Sequence, residues 1–217
     1  LVNLHIKEFN LGEELNKKYK VNVKIKNDGK CAGLAEKKYG SLKKYKDCVF
    51  LCIGTGVGSA VFLNDDLLEP KQNPGFEFGH MVIDKEGRKC NCGKNGCFET
   101  YASMKRFKAE AINTFKMSNT TEAEEVQMYI RKNMDKKRVR DFVDEYLENV
   151  SIGLSNIINI FEPQAISFGG SFSYYCDIFL PILKEKLDKL KFNKDTKVDL
   201  TTAKLKNDAG IIGATEI

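Results

Sequence analysis

The chain has 217 residues, enough for one large domain or one domain and part of another. Lys+Arg 35 against Asp+Glu 30 leave a net charge of +5, and the lysines are spread along runs such as ELNKKYK and KEKLDKLKFNK, which marks solvated helix faces rather than a nucleic-acid footprint. Seven cysteines, with Cys31, Cys48, Cys52 and Cys176 scattered in apolar settings, do not make a secreted disulfide framework and point to a reducing, cytoplasmic compartment; no apolar run reaches the ~18 residues of a membrane helix, and no signal peptide is present.

In chain order, LGEELNKKY (11–19) reads as a short polar helix, and VNVKIK (21–26) alternates Val21, Val23 and Ile25 as a strand does. NDGKCAGLAEKKYG (27–40) follows as a helix, with Asn27 and Asp28 able to cap its start and Gly40 suited to its end. CVFLCIGTGVGSAVFLN (48–64) is two β-rich runs joined by a glycine loop. Segment 65–97 is rich in punctuation, and from Phe98 the pattern turns helical through FETYASMKRFKAEAINTF and TEAEEVQMYIRKN. A longer helix is expected over about 136–161, with an apolar stripe through Val139, Val143, Leu147, Leu154 and Ile158 and Pro163 just beyond it. AISFGG is a buried strand, YCDIFLPILKEKLDKL a helix despite Pro181, KVDLTTAKL a strand, and DAGIIGATEI the start of another helix. Strands alternating with helices define an α/β class. Opening on Leu1 within LVNLHIKEFN and closing on GATEI, the chain reads as a piece of a longer protein.

His80, Cys90, Cys92 and Cys97 supply one imidazole and three thiolates, a complete tetrahedral set for zinc with a net local charge of −1. A complete set leaves no position for water, so the site is structural, not hydrolytic. The two CxxC-type knuckles of a zinc ribbon are absent. Glu77 lies three residues before the first ligand and Glu99 two after the last, so one clamp fixes both carboxylates. The second ring nitrogen of His80 must donate to something, either a backbone carbonyl or a polar ligand.

IGTGVGSAVF is neither a Walker A loop nor a dinucleotide fingerprint, because no Lys-Ser/Thr follows the glycines and the next element is a strand. Its backbone N–H groups and the Thr55 hydroxyl suit phosphate oxygens; a plain hairpin is the alternative. Asn27 and Asp28 sit where a strand hands over to a helix. They read either as a capping pair or, for Asp28, as the carboxylate that accepts a hydroxyl proton in phosphoryl transfer, kept ionised by the helix N-terminus.

KNDGKCAGLAE, IGTGVGSAV, GFEFGH, CNCGKNGCFE, PQAISFGG and DAGIIGA occur in this order, and together they resemble the ROK family of bacterial sugar kinases and related repressors. The resemblance implies an actin-like, ribonuclease H-like ATPase fold with a cleft between two domains. It makes Asp28 the catalytic base, and Asn27, Glu77, His80 and Glu99 the sugar contacts. His80, Cys90, Cys92 and Cys97 become zinc ligands, Gly54, Thr55 and Gly56 the second phosphate loop, and Gly169 and Gly170 the glycine pair near adenosine. ATP with Mg²⁺ and structural Zn²⁺ are the implied cofactors, a hexose the substrate in a glucokinase-like reaction, and a homodimer the implied assembly.

Two departures matter. The family's D-x-G-G-T phosphate loop occurs nowhere in the chain, and Phe76 stands where a small residue usually precedes the glutamate. By the family's layout, 1–47 ends a small N-terminal domain, 48–207 is the large domain and 208–217 begins a shortened final helix. The 217 residues alone are expected to be inactive as a kinase. The rival readings are the effector domain of a sugar-responsive repressor, with a nucleic-acid partner only if a helix-turn-helix lies upstream, and a non-catalytic, zinc-stabilised sugar-binding domain.

Overall fold

The computed structural model describes residues 9–71 and 75–217, so most of the LVNLHIKEFN opening lies outside the described residues. The sheet is built first from the hairpin around the glycine loop. Strand β1 (Cys48–Ile53) pairs antiparallel with β2 (Val57–Leu63), and a short β3 (Asp66–Leu67) extends that edge. On its other side β1 pairs parallel with β4 (Ala165–Gly169), and β4 with β5 (Asp199–Thr202), giving the order β3-β2-β1-β4-β5.

Strand alternation sends successive side chains to opposite faces. Val49, Leu51, Ile53, Val57, Val61, Ile166 and Phe168 enter the larger core, whereas Cys48, Phe50, Ala60, Phe62 and Ala165 enter the smaller one. The larger core is roofed by α3 (Glu99–Ala102), α4 (Met104–Phe115), α5 (Ala123–Lys132), α6 (Lys137–Phe161) and α7 (Cys176–Leu190). The ring of Phe107 packs edge-on against Tyr146, Tyr175 and Phe179 there. The smaller core lies under α2 (Asp28–Lys38) and α8 (Ala209–Ala214).

Close approach shapes that second layer. A Cβ on Gly33 would fall 2.3 Å from the Ala60 Cβ, and one on Gly213 would fall 1.7 Å from the Cys31 carbonyl oxygen, so α2 rests its Gly33 backbone on the Ala60 methyl of β2 and meets α8 backbone to backbone. Glu36 of α2 is fully buried, yet its carboxylate accepts from Ser41 N (2.7 Å), Ser41 Oγ (2.7 Å) and Leu205 N (2.6 Å), and Ser41 Oγ meets Ser167 Oγ of β4 at 2.7 Å. A buried carboxylate is tolerable only when satisfied in this way. It ties the C-terminal turn of α2, the approach to α8 and β4 of the sheet together.

Two sequence expectations change. The first helix, α1 (Leu11–Tyr19), forms as expected, but 21–26 is not a strand: no described residue pairs with it, and Val21 and Ile25 stay exposed at 52 % and 61 %. Alternation marks a segment able to be a strand, and only a ladder partner makes it one. The helical run from Phe98 is two helices, because Ser103 takes an extended conformation (φ −64°, ψ 142°) between α3 and α4. The other helices and strands fall where the patterns place them, including α7 with Pro181 inside. Among the described residues no helix is long and apolar enough to cross a membrane.

Candidate functional site

The glycine hairpin is the centre of the site. Gly54 N donates to Gly56 O (2.9 Å), which closes the turn, and Gly54 O accepts from Met104 N (2.8 Å) and Lys105 N (3.3 Å), which docks it on the start of α4. Thr55 is left exposed at its tip.

On one side stands α2. Asn27 caps it, with Oδ1 accepting from Lys30 N at 3.1 Å, and Asp28 Oδ1 accepts from its neighbour Gly29 N at 2.8 Å. Both residues are exposed. A Cβ on Gly29 would meet Ser59 N at 3.5 Å and Gly58 C at 3.6 Å, so Asp28 sits beside the β2 end of the hairpin. Burial pushes the Cys52 thiol up, and the nearby Asp28 charge adds to the shift.

On the other side stands the cysteine loop. Its four donor atoms, from His80, Cys90, Cys92 and Cys97, lie within 4.8 Å of one another. Cys90 Sγ is 3.7 Å from His80 Nδ1 and Cys92 Sγ is 3.5 Å from Cys97 Sγ. A tetrahedron with ~2.3 Å zinc–sulfur bonds has edges of about 3.8 Å, so the residues present fit zinc. His80 turns Nδ1 to the thiols, leaving Nε2 as the second nitrogen.

The loop is a knuckle held by Cys90 N to Lys94 O (2.8 Å), Gly96 N to Arg88 O (2.8 Å) and Ile83 N to Gly96 O (2.9 Å). Gly96 has φ +71°, and a Cβ there would strike the Asp84 carbonyl at 1.5 Å. Phe98, wholly buried, anchors the loop's end in the large core against Gly153 of α6, where a Cβ would lie 2.4 Å from its ring.

The thiols differ in acidity. Burial, reinforced by the neighbouring thiols, pushes Cys97 up to about 12, and burial also raises Cys90; the Lys94 backbone N–H pulls the exposed Cys92 down. A raised pKa favours the protonated thiol, which competes with metal for the sulfur. Higher pH removes that competitor, so apparent zinc affinity is expected to rise with pH, by up to about tenfold per unit for each proton expelled. Competition against a chromophoric chelator between pH 6 and 8 measures it; a flat profile would contradict it.

Glu99, first residue of α3, is half-buried with Oε1 3.4 Å from Cys90 Sγ and 3.8 Å from His80 Nδ1. Glu77 precedes the short 3-10 turn Phe78–His80, its carbonyl accepting from His80 N at 3.0 Å. Phe76 before it has φ +59°, a costly conformation for a bulky residue, and its carbonyl accepts from Ser59 Oγ at 2.6 Å. That backbone strain borders Glu77.

A cavity of about 630 Å³ opens behind the hairpin, lined by Gly54, Thr55, Lys105, Gln127, Ser171 and Tyr174 among others. Gly169 and Gly170 do not line it. Packing accounts for them: a Cβ on Gly169 would lie 2.6 Å from Phe50 Cζ, and Gly170 has φ +67° with Ile53 O 2.6 Å from its would-be Cβ. The lining comes instead from residues just after the pair and from α4 and α5. Gln127 Nε2 donates to Tyr174 O (2.8 Å), and Arg131 grips Asp177 through both carboxylate oxygens (2.6 and 2.8 Å), which fixes α5 to the segment after β4. No local spacing announced Lys105, Gln127 or Tyr174; only the fold brings them together.

The mixed five-stranded sheet with helices on both faces has the actin-like ATPase fold. A ROK family glucokinase from Streptomyces griseus, solved with glucose and AMPPNP, superposes with a TM-score of 0.82 over 95 % of this chain and 71 % of its own, at 22 % identity. The family model described as ROK family matches residues 1–217, and the chain belongs to that family. Among curated relatives, the glucokinase of Thermotoga maritima is 28 % identical over 95 % of this chain and 69 % of its own length. The xylose repressor of Caldicellulosiruptor bescii is 25 % identical over 97 % of this chain. The chain spans 55 % of that repressor's length.

Proposed function

We propose that this chain is the greater part of an ATP-dependent hexose kinase, glucokinase-like in its reaction. What carries the reading is the placement of one carboxylate: Asp28, exposed at the helix start and beside the phosphate-type hairpin, faces a site whose other side is the metal loop with Glu99. Asp28 accepts the proton of the attacking sugar hydroxyl. Asn27, Glu77, His80 and Glu99 orient the ring. Gly54 and Thr55 receive the phosphates of Mg²⁺-ATP, and the 630 Å³ cavity takes the nucleoside, while Gly169 and Gly170 pack the end of β4 outside its lining. Zinc, when bound, is a closed structural tie.

The domain division at 47/48 and 207/208, a homodimer and a cytoplasmic setting belong to the same proposal. The test is a panel of hexoses with Mg²⁺-ATP on the full-length protein, read as ADP release. One hexose is expected to give turnover, while the 217 residues, without a D-x-G-G-T loop, give none. Turnover with no sugar of the panel would sink the kinase reading.

Similarity to xylose repressors supports a second reading, the effector domain of a sugar-responsive regulator. A sugar that binds without turnover and shifts the full-length protein's DNA affinity would favour it over the kinase. Sugar binding with neither effect would favour a non-catalytic, zinc-stabilised sugar-binding domain.

A further inference from the structure

The three residues Gly54, Thr55 and Gly56 look like one functional unit, yet the surroundings of the two glycines differ. A Cβ on Gly54 would meet no atom within 4 Å, and Gly54 lines the nucleoside-sized cavity. A Cβ on Gly56 would lie 2.8 Å from Glu99 Oε2, and Gly56 does not line that cavity. Nor does Gly56 need glycine for its backbone, because its φ is not positive, unlike those of Gly93, Gly96 and Gly170. What the missing side chain leaves room for is a carboxylate. The same carboxylate's other oxygen is 3.4 Å from Cys90 Sγ and 3.8 Å from His80 Nδ1.

We infer that Gly56 is a positioning residue for the sugar end of the site: it seats the Glu99 carboxylate between the hairpin and the metal loop, and so sets hexose affinity rather than nucleotide affinity. This rests on the reading of Glu99 as a sugar contact. The obstructed atom is the tip of a flexible side chain, so Gly56→Ala displaces Glu99 at small cost instead of breaking the hairpin. A carboxylate gripping a sugar hydroxyl forfeits most of its charge-assisted hydrogen bond when displaced by about an ångström. The hairpin's own closure, Gly54 N to Gly56 O, uses backbone atoms that the substitution leaves in place.

The experiment is calorimetry on the zinc-loaded full-length protein, with the hexose identified by the panel and, separately, with a non-hydrolysable ATP analogue. Gly56→Ala is expected to keep one zinc per chain and to weaken hexose binding about tenfold, the loss of one charge-assisted hydrogen bond, with nucleotide affinity held. Adding Glu99→Asp, which withdraws the carboxylate by one methylene, is expected to cost less in the Gly56→Ala background than in the parent, since the two act through one contact. Weaker nucleotide with unchanged hexose binding would overturn the inference, as would additive effects of the two substitutions. If the parent binds no hexose, the sugar-site reading fails by itself. The visible spectrum of the cobalt(II)-loaded protein then judges the contact alone: Gly56→Ala should shift it, because Glu99 borders Cys90, and an unchanged spectrum would refute the seating.

Discussion

Asp28→Asn is expected to lower sugar-dependent ADP release by about a thousandfold in the full-length protein, with hexose affinity nearly unchanged. Asparagine keeps the size and hydrogen-bonding shape of the side chain, and its oxygen can still accept from Gly29 N as Asp28 Oδ1 does at 2.8 Å. The helix start therefore survives, because capping falls to Asn27, whose Oδ1 holds Lys30 N. Only the ability to take a proton is removed. A carboxylate is a weak base, and on the proposed reading it suffices because the hydroxyl proton leaves late, once the oxygen–phosphorus bond is forming. Steady-state kinetics over a hexose titration measure the split between kcat and KM. A variant that keeps its turnover would remove Asp28 from the chemistry and leave it a helix residue. A loss confined to KM would make it a sugar contact and nothing more.

The second large effect belongs to the metal loop. Cys97→Ser is expected to abolish stable zinc binding and, with it, hexose binding, while the ATP analogue still binds. Cys97 is wholly buried, and its neighbour Phe98 is the loop's anchor in the core, so the sulfur cannot be replaced by a water or a shifted ligand. Three ligands that remain around an open position hold zinc at least about a hundredfold more weakly. The loop then loses the tie that fixes His80 and Glu99, whereas the nucleoside-sized cavity is walled by α4, α5 and the segment after β4. Cys92→Ser should be milder, since Cys92 lies exposed at the rim. Metal analysis with calorimetry for each ligand separates these outcomes, and a zinc-free Cys97→Ser protein with parental hexose affinity would refute the clamp.

Both effects concern residues that could be read from local sequence. The Cys/His spacing is a short-range property: ligands within one loop meet because glycines such as Gly96 let the chain turn, and a spacing of one, four and nine residues is visible without a fold. The β1–β2 hairpin was legible for the same reason, two apolar runs around a glycine tip. Asp28 was legible as a helix start, though its closeness to Gly58 was not, because that depends on α2 meeting β2 at Gly33 and Ala60. The strand expected at 21–26 shows the limit from the other side: alternation is local, pairing is not. The cavity behind the hairpin lies at the same limit. Lys105, Gln127 and Tyr174 come from three elements, and the ion pair of Arg131 with Asp177 that sets α5 against the start of α7 spans 46 positions. The seating of Glu99 by Gly56 is of this kind too. A glycine in a phosphate-type loop already has an explanation, so nothing in the string prompts a second one.

Phe98 stands between Cys97 of the thiol cluster and the Glu99 carboxylate, and its ring rests on the bare backbone of Gly153 in the middle of α6. The height of the whole cysteine loop above the sheet is thus referenced to a helix that lends the pocket no side chain of its own. With Glu99 a sugar contact, as proposed, sugar preference would have an adjustment screw on its far side. Engineering confined to the residues that touch the sugar would leave it unturned, and natural variation at Gly153 could retune the pocket while every visible contact stayed the same.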